Sequence, residues 1–300
     1  MIENITPLIL TFNEAPNIGR TLAQLRWARQ IVVVDSFSED ETVEIASSFP
    51  NVRVVQRKFD DHGAQWSFGL NQTGISTEWV LALDADYILT SKYIQELKTL
   101  VPAPQTNGFQ ACFTYCINGR PLRSGVYPPV TVLYRRAFAE YSQDGHTQRL
   151  KLAGEVETMQ SPILHDDRKP LKRWFESQQR YMVLEAKKIL ASDPGGLGRA
   201  DRIRRWRVIA PVAVLVYCLL MRGGVLDGWA GFYYAGQRVL AELLLSLYLI
   251  ESDFDSLGRR RERKAVSSKR EASTEKGQAR IGGAAAPVFS SNQTDVHPRS

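Results

Sequence analysis

Apolar and polar positions alternate in blocks along the first hundred residues. Thr6-Pro7-Leu8-Ile9-Leu10-Thr11 reads as a short apolar strand, and Asn13-Glu14-Ala15-Pro16 then signals a helix start with Pro near the first turn. The helix carries Ile18, Leu22 and Leu25 at helical spacing. Ile31-Val32-Val33-Val34-Asp35 is a β-branched strand, and Ser38-Glu39-Asp40-Glu41 opens a second helix with acids in its first turn, where the helix dipole favours them. Val52-Arg53-Val54-Val55 predicts a third strand, Ala64 to Asn71 a helix, and Trp79 to Leu83 a fourth strand. Strand–helix alternation of this kind predicts parallel βαβ units with right-handed crossovers.

Beyond Pro102 the rhythm changes. Gly108 to Ile117 and Val130 to Tyr134 read as strands on either side of a Gly/Pro-rich loop, Asn118 to Pro129. A long loop inside a compact domain is more often functional than decorative. Leu171 to Leu190 is amphipathic with helical period and is broken by Ser192-Asp193-Pro194-Gly195-Gly196. Val208 to Met221 is almost uninterruptedly apolar between Arg202, Arg204, Arg205, Arg207 and Arg222. It is shorter than the ~20 residues that span a bilayer. Val225 to Ile250 is longer but carries Asp227, Gln237, Arg238 and Glu242. Two readings fit this pair: helices lying at a membrane interface with arginines meeting lipid phosphates, or an ordinary helical hairpin packed in the core. From about residue 251 large apolar residues nearly vanish, which predicts a disordered tail. The expected organisation is thus 1–170, an α/β domain; 171–250, a helical region for which both readings, membrane interface and packed hairpin, stay open; and 251–300, a disordered tail.

Composition narrows the classes. A hydrophobic content of 44% is that of an ordinary globular protein, and three cysteines (Cys112, Cys116, Cys218) are too few for a disulfide framework. A reducing, cytoplasmic setting is expected. The opening M-I-E-N-I-T runs straight into strand-like sequence, so no secretory signal is predicted. The net charge of +6 is concentrated at Arg199 to Arg207 and Arg259 to Lys264. These runs lack the interleaved aromatics that stack bases, so a nucleic-acid partner is not expected.

The chemistry lies at strand ends. Trp79-Val80-Leu81-Ala82-Leu83-Asp84-Ala85-Asp86 delivers two aspartates to the tip of a buried strand, where an open α/β sheet binds its ligands. Residues i and i+2 of a strand share a side, so both carboxylates can converge on one divalent cation. Alone, D-x-D favours the plainer reading of two acidic turn residues, because so short a motif matches by chance. Thr11-Phe12-Asn13-Glu14 and Asp35-Ser36 end two further strands on the same predicted edge, and no G-x-G-x-x-G or P-loop lysine follows any strand. A bound nucleotide would then have its diphosphate neutralised by a metal rather than by backbone amides.

The segments L-I-L-T-F-N-E-A-P-N-I, I-V-V-V-D-S-F-S-E-D-E-T and L-A-L-D-A-D resemble the nucleotide-binding half of a family 2 glycosyltransferase of the GT-A fold. The second segment and the later G-V-L-D-G-W-A-G-F-Y-Y-A are similar to the lipopolysaccharide core β-1,4-glucosyltransferase subgroup. The resemblance covers about residues 5 to 250. It implies a mostly parallel sheet flanked by helices with a C-terminal helical extension. It also implies a UDP-sugar donor held by Thr11, Asn13, Glu14, Asp35 and Asp84, with Asp35 reading the base and Asp84 near the ribose. Asp86 would ligate Mn²⁺ or Mg²⁺ bridging the diphosphate.

Such transferases invert the anomeric centre by direct displacement, which requires a general base for the acceptor hydroxyl. Relatives often carry a His-Glu pair in the polar segment that here reads Tyr141-Ser142-Gln143-Asp144-Gly145-His146-Thr147. Asp144 is the expected base and His146 the alternative. In His165-Asp166-Asp167-Arg168, His165 would complete the metal shell and Arg168 would contact phosphate. The expected acceptor is a lipid-linked or cell-envelope glycan at the inner face of the cytoplasmic membrane, with peripheral membrane contact. A polyprenyl-phosphate glycosyltransferase and a nucleotide-sugar-binding module without transfer share the same donor half.

Overall fold

The structure is a computed structural model that describes the chain apart from residues 145–146, 194, 196–197 and 282–300. At residues 147, 199, 260–265 and 267–281 it describes the backbone alone. The chain forms two compact units, Met1–Leu249 and Ile250–Ser300. Residues 1–170 and the helices up to Leu249 therefore belong to one unit.

Four parallel strands form the heart of that unit: β1 (Ile5–Thr11), β2 (Ile31–Asp35), β3 (Val52–Gln56) and β4 (Trp79–Asp84). β1 lies between β4 and β2, with Thr11 opposite Asp35 and Leu10 opposite Asp84. After β4 the chain turns and forms β5 (Tyr87–Leu89), then β6 (Thr106–Ala111), β7 (Phe113–Ile117), β8 (Arg120–Pro121) and β9 (Val130–Arg135). β9 runs antiparallel to both β4 and β6. A hairpin, β10 (Ala139–Asp144) and β11 (Thr147–Leu152), follows, then β12 (Glu155–Thr158) and β13 (Ile163–His165). The large sheet has the order β12-β6-β9-β4-β1-β2-β3, and a smaller one the order β5-β13-β7-β8.

The near-continuous apolar strands are explained by cover on both faces. Ile5, Ile9, Ile31, Val33, Leu81 and Leu83 pack on one side with Ile18 and Leu22 of α1 (Ile18–Ala23) and nearby Leu25. Their alternates Leu8, Val32, Val34, Val80 and Ala82 pack on the other with Trp66 and Leu70 of α3 (His62–Gln72). The short α2 (Thr42–Ser47) joins β2 to β3, and α4 (Ser91–Thr99) follows β5. At roughly 1.5–3 kcal/mol per buried aliphatic or aromatic side chain, this two-sided core dominates the stabilisation. α3 approaches β1 closely through Gly69, where a Cβ would sit 2.9 Å from Leu8 Cδ1.

The C-terminal part is helical, as its periodicity predicts: α5 (Leu171–Ala191), α6 (Arg199–Arg204), α7 (Ile209–Val216) with a π turn over Tyr217–Met221, and α8 (Trp229–Ile281). No helix among the described residues is long and apolar enough to cross a membrane. Residues 252–281, whose composition predicts a disordered tail, continue α8 as helix. The segment is rich in Arg, Lys, Glu and Ala, residues of favourable helix propensity. Residues 282–300 of the expected tail lie outside the described residues.

Candidate active site

The parallel strands bring their polar ends to one edge, and each end is organised differently. Asp35 is fully buried. Its Oδ1 accepts from Thr11 Oγ1 at 3.0 Å and Ser38 Oγ at 2.5 Å, and its Oδ2 accepts from the Ser38 amide at 2.8 Å. Gln56 Nε2 adds a long contact of 3.4 Å to Oδ2. Thr11 and Asp35 therefore lock the ends of β1 and β2 together. Asn13 has a positive φ of 55°, a conformation Asn tolerates better than most residues. Its side-chain oxygen accepts from the amides of Glu39 at 2.7 Å and Asp40 at 3.3 Å, which ties the two loops at this edge.

β4 ends at Asp84, and Ala85-Asp86 form a turn before β5. The two carboxylates thus meet through a turn, not through the same-side alternation of a strand that the sequence suggests. Burial and the neighbouring Asp86 charge push Asp84 up to about 6, against the pull of His165. Burial would also raise Asp86, but the His165 charge and hydrogen bond, helped by Lys169, outweigh it and hold Asp86 at about 2. His165 Nε2 lies 3.1 Å from Asp86 Oδ2. Burial opposes the imidazolium, yet the facing Asp86 raises the His165 pKa above its ordinary value. β13 carries His165 to this point by pairing antiparallel with β5, which sets His165 opposite Tyr87. The rings of Tyr115 and Tyr127 pack on His165 at centroid distances of 4.8 Å.

Two buried atoms here have no hydrogen-bond partner: Asp86 Oδ1 and His165 Nδ1. An unsatisfied buried carboxylate oxygen is costly unless something absent from the polypeptide completes it. A hard divalent cation suits that oxygen, because Mg²⁺-type ions are held by one or two carboxylates with the remaining positions taken by phosphate and water. Among the described residues no group of three or more His, Cys, Asp or Glu is arranged to hold a metal.

Glu14 and Arg168 reach the site through an ionic network that sequence inspection alone does not reveal. Glu14 Oε1 accepts from Lys169 Nζ at 2.6 Å and its Oε2 from Asn17 Nδ2 at 2.9 Å. Burial raises the Glu14 pKa to about 7, with Lys169 pulling the other way. Arg168 is turned to Asp166, at 2.9 Å from Nη2 and 3.0 Å from Nε. Arg20 holds the same carboxylate at 2.7 Å. Asn17, fully buried, ties the network together by donating to Asp167 Oδ1 and accepting from the Arg168 amide. Lys169, Asn17 and Arg20 are the members that sequence reasoning misses. Arg20 stands three residues after Asn17 on α1, a spacing that carries no signal until β13 is folded against that helix end.

The structure does not join Asp144 to this cluster. It closes β10, takes Arg149 Nη2 at 2.7 Å, and faces Lys188 Nζ of α5 at 3.4 Å. His146 lies outside the described residues. The hairpin carrying Asp144 is braced on the start of α3, where the Gly63 amide donates to Gln143 Oε1 at 3.0 Å. A cavity of about 340 Å³ opens between the β1 loop and α5, lined by Phe12, Asn13, Lys172, Arg173, Glu176 and Arg180, with Ser177. Its cations came from a helix read only for its apolar face.

An open α/β sheet with acidic strand ends and an orphaned carboxylate defines a nucleotide-handling enzyme more than a structural module. The model of Glycosyl transferase family 2 matches residues 8–160, about half of the chain, and the chain belongs to that family. An uncharacterized glycosyltransferase of Rickettsia bellii is 28% identical over 148 residues, covering 47% of this chain and 49% of that protein. One of Rickettsia felis is 25% identical over 147 residues, covering 47% of this chain and 51% of that protein. The chain spans about half the length of the curated relatives it matches. Among solved structures, the mannosyltransferase PcManGT from Pyrobaculum calidifontis in complex with GDP-Man and Mn²⁺ is similar at a TM-score of 0.48 and 13% identity, covering 82% of this chain and 87% of that one. S. aureus TarS 1–349 in complex with UDP-GlcNAc is similar at a TM-score of 0.42 and 14% identity, covering 83% of this chain and 92% of that one.

Proposed function

We propose that the protein is an inverting glycosyltransferase that moves a hexose, glucose by the sequence resemblance, from a UDP-sugar to a lipid-linked or cell-envelope glycan. The observation that carries this reading is the orphaned Asp86 Oδ1 beside Asp84, at the edge where Thr11 and Asp35 also end their strands. Asp86 and His165 would hold Mn²⁺ or Mg²⁺. When bound, that ion supplies Lewis-acid stabilisation of the departing diphosphate. Thr11, Asn13, Glu14, Asp35 and Asp84 belong to the donor pocket. Asp35 reads the base, held in place by Thr11 and Ser38. Arg168 offers the diphosphate a cation already aimed by Asp166.

In the transfer itself the acceptor hydroxyl oxygen bonds to the anomeric carbon as the bond from that carbon to the diphosphate oxygen breaks. The hydroxyl proton passes to Asp144, with His146 as the alternative base. Arg149 Nη2 and Lys188 Nζ stand beside Asp144 at 2.7 and 3.4 Å and hold its side chain in place. The acceptor is read as lipid-linked, of the lipopolysaccharide core type, at the inner face of the cytoplasmic membrane. The test is UDP-glucose turnover by the full chain with and without Mn²⁺. Metal-dependent release of UDP is expected. Binding of UDP with no hydrolysis or transfer to any glycan acceptor would reduce the protein to a nucleotide-sugar-binding module.

A further inference from the structure

The helical pair around residues 206–233 is packed on one side only. Cys218, Ala230, Tyr234 and Ala235 are buried against Leu122. On the outer side Trp206, Val212, Leu220, Met221, Leu226 and Trp229 are 65, 62, 68, 74, 69 and 87% exposed. Single exposed apolar residues are ordinary, but six strongly exposed ones between positions 206 and 229, two of them tryptophans, mark an interaction surface. Arg202 and Arg222 stand exposed at its margins. An apolar strip edged by arginines and tryptophans complements the phosphate and acyl layers of an anionic bilayer, and the strip is too short to cross one. A purely apolar protein groove would leave those cations without a match.

The same pair grips the loop of residues 118–129. Asp227 accepts from the Ser124 hydroxyl at 2.8 Å and from the amides of Ser124 and Arg123 at 3.0 Å. Tyr234 Oη accepts from the Val126 amide at 3.1 Å, and Arg222 Nη2 donates to the Gly125 carbonyl at 3.0 Å. Tyr127, next along this loop, shares a 2.7 Å hydrogen bond with Tyr87 and packs edge-on against His165. The apolar strip is thus linked by continuous contacts to the ring that faces Asp86.

We propose that residues 206–233 seat on an anionic phospholipid bilayer at interfacial depth, and that seating raises turnover at the strand-end site through the Tyr127 loop. The second half rests on the proposed transferase reading of that site; the first does not.

The test is co-sedimentation of the full chain with vesicles of phosphatidylcholine alone and of equal parts phosphatidylcholine and phosphatidylglycerol. Binding at least about tenfold tighter to the anionic vesicles is expected. Leu226→Ser with Trp229→Ser should weaken it by about tenfold or more with the melting temperature unchanged, since both side chains face solvent. Equal binding to both vesicles, or none, overturns the docking face. So does a dimer in light scattering that the double variant dissociates, because a second copy then covers the strip. UDP-glucose hydrolysis should rise several-fold with anionic vesicles in the parent chain and not in the variant; a flat response overturns the transmission. A UDP-induced thermal shift with Mn²⁺, measured without vesicles, keeps the two readings apart. Vesicle binding without that shift sinks the donor site alone, and the shift without vesicle binding sinks the docking face alone.

Discussion

Asp227 and Ser124 meet through two hydrogen bonds, the Ser124 amide and hydroxyl both donating to Asp227 Oδ2, at 3.0 and 2.8 Å. With the Arg123 amide these donors hold the Gly/Pro-rich loop onto the turn before α8. Burial pushes the Asp227 carboxyl up, but the bonds from Ser124 and the two amides outweigh that and set it below its ordinary value of 3.8. A carboxylate depressed on folding contributes stability above its unfolded pKa and loses it as pH falls through the lower folded value. Asp227→Asn should therefore lower stability by about 1.5–3 kcal/mol at neutral pH. It should also flatten the acid limb below about pH 4. Urea denaturation between pH 3 and 7 measures both, and an unchanged acid limb would remove Asp227 from the account.

Asp86→Asn should keep the fold and lose metal-dependent turnover, by about a hundredfold or more. The substitution preserves the shape while removing the charge that faces His165. Circular dichroism checks the fold, and a Mn²⁺ titration of UDP release checks the chemistry. Activity that survives with an unaltered Mn²⁺ response would mean that the ion, if used, is held elsewhere.

Asp144→Asn should slow sugar transfer by about 10²–10⁴-fold while leaving UDP affinity unchanged, as expected for a proton acceptor on the acceptor side. Gly63→Ala probes the same element indirectly. A Cβ there would lie 2.6 Å from the Gln143 backbone nitrogen and 2.7 Å from the Ser142 carbonyl carbon. The hairpin must shift, at a cost of about 1–3 kcal/mol, and transfer should fall with it. If Asp144→Asn leaves transfer intact, His146 becomes the base to test.

Arg204 of α6 binds Glu242 of α8 at 2.8 Å and stands 3.8 Å from Glu185 of α5, so one guanidinium serves both buried acids. Arg204→Met takes the nearest cation from Glu242, which is left with the more distant Arg238 at 3.8 Å, and should cost about 3 kcal/mol. Adding Glu242→Leu should recover part of that loss, because the pair is replaced by packing. Chemical denaturation of the single and double variants reads the difference. A single variant as stable as the parent would show that the helices do not depend on this pair.

The fold was legible where chemistry is local. The β-branched runs ending at Asp35 and Asp84, the helix carrying Ile18 and Leu22, and the period of α5 follow from side-chain spacing within one segment, whereas Leu25 falls in the turn after α1. The tail differed because composition reports what a segment can bury, whereas helix propagation over residues 252–281 needs only backbone bonds and favourable residues. The D-x-D geometry differed because a strand's end is set by its partners. β4 stops at Asp84, and pairing of Tyr87 with His165 draws the next residues into a turn.

The sequence by itself determined the parallel βαβ half, the acidic strand ends and the apolar helical pair, since each depends on spacing within one segment. Tertiary structure alone decided which charges meet. It set His165 against Asp86, turned Arg168 to Asp166, placed Lys169 on Glu14, and fastened residue 227 to residue 124. Such pairings join elements far apart in the chain, and a buried charge takes its meaning from whatever partner the fold brings to within about 3 Å.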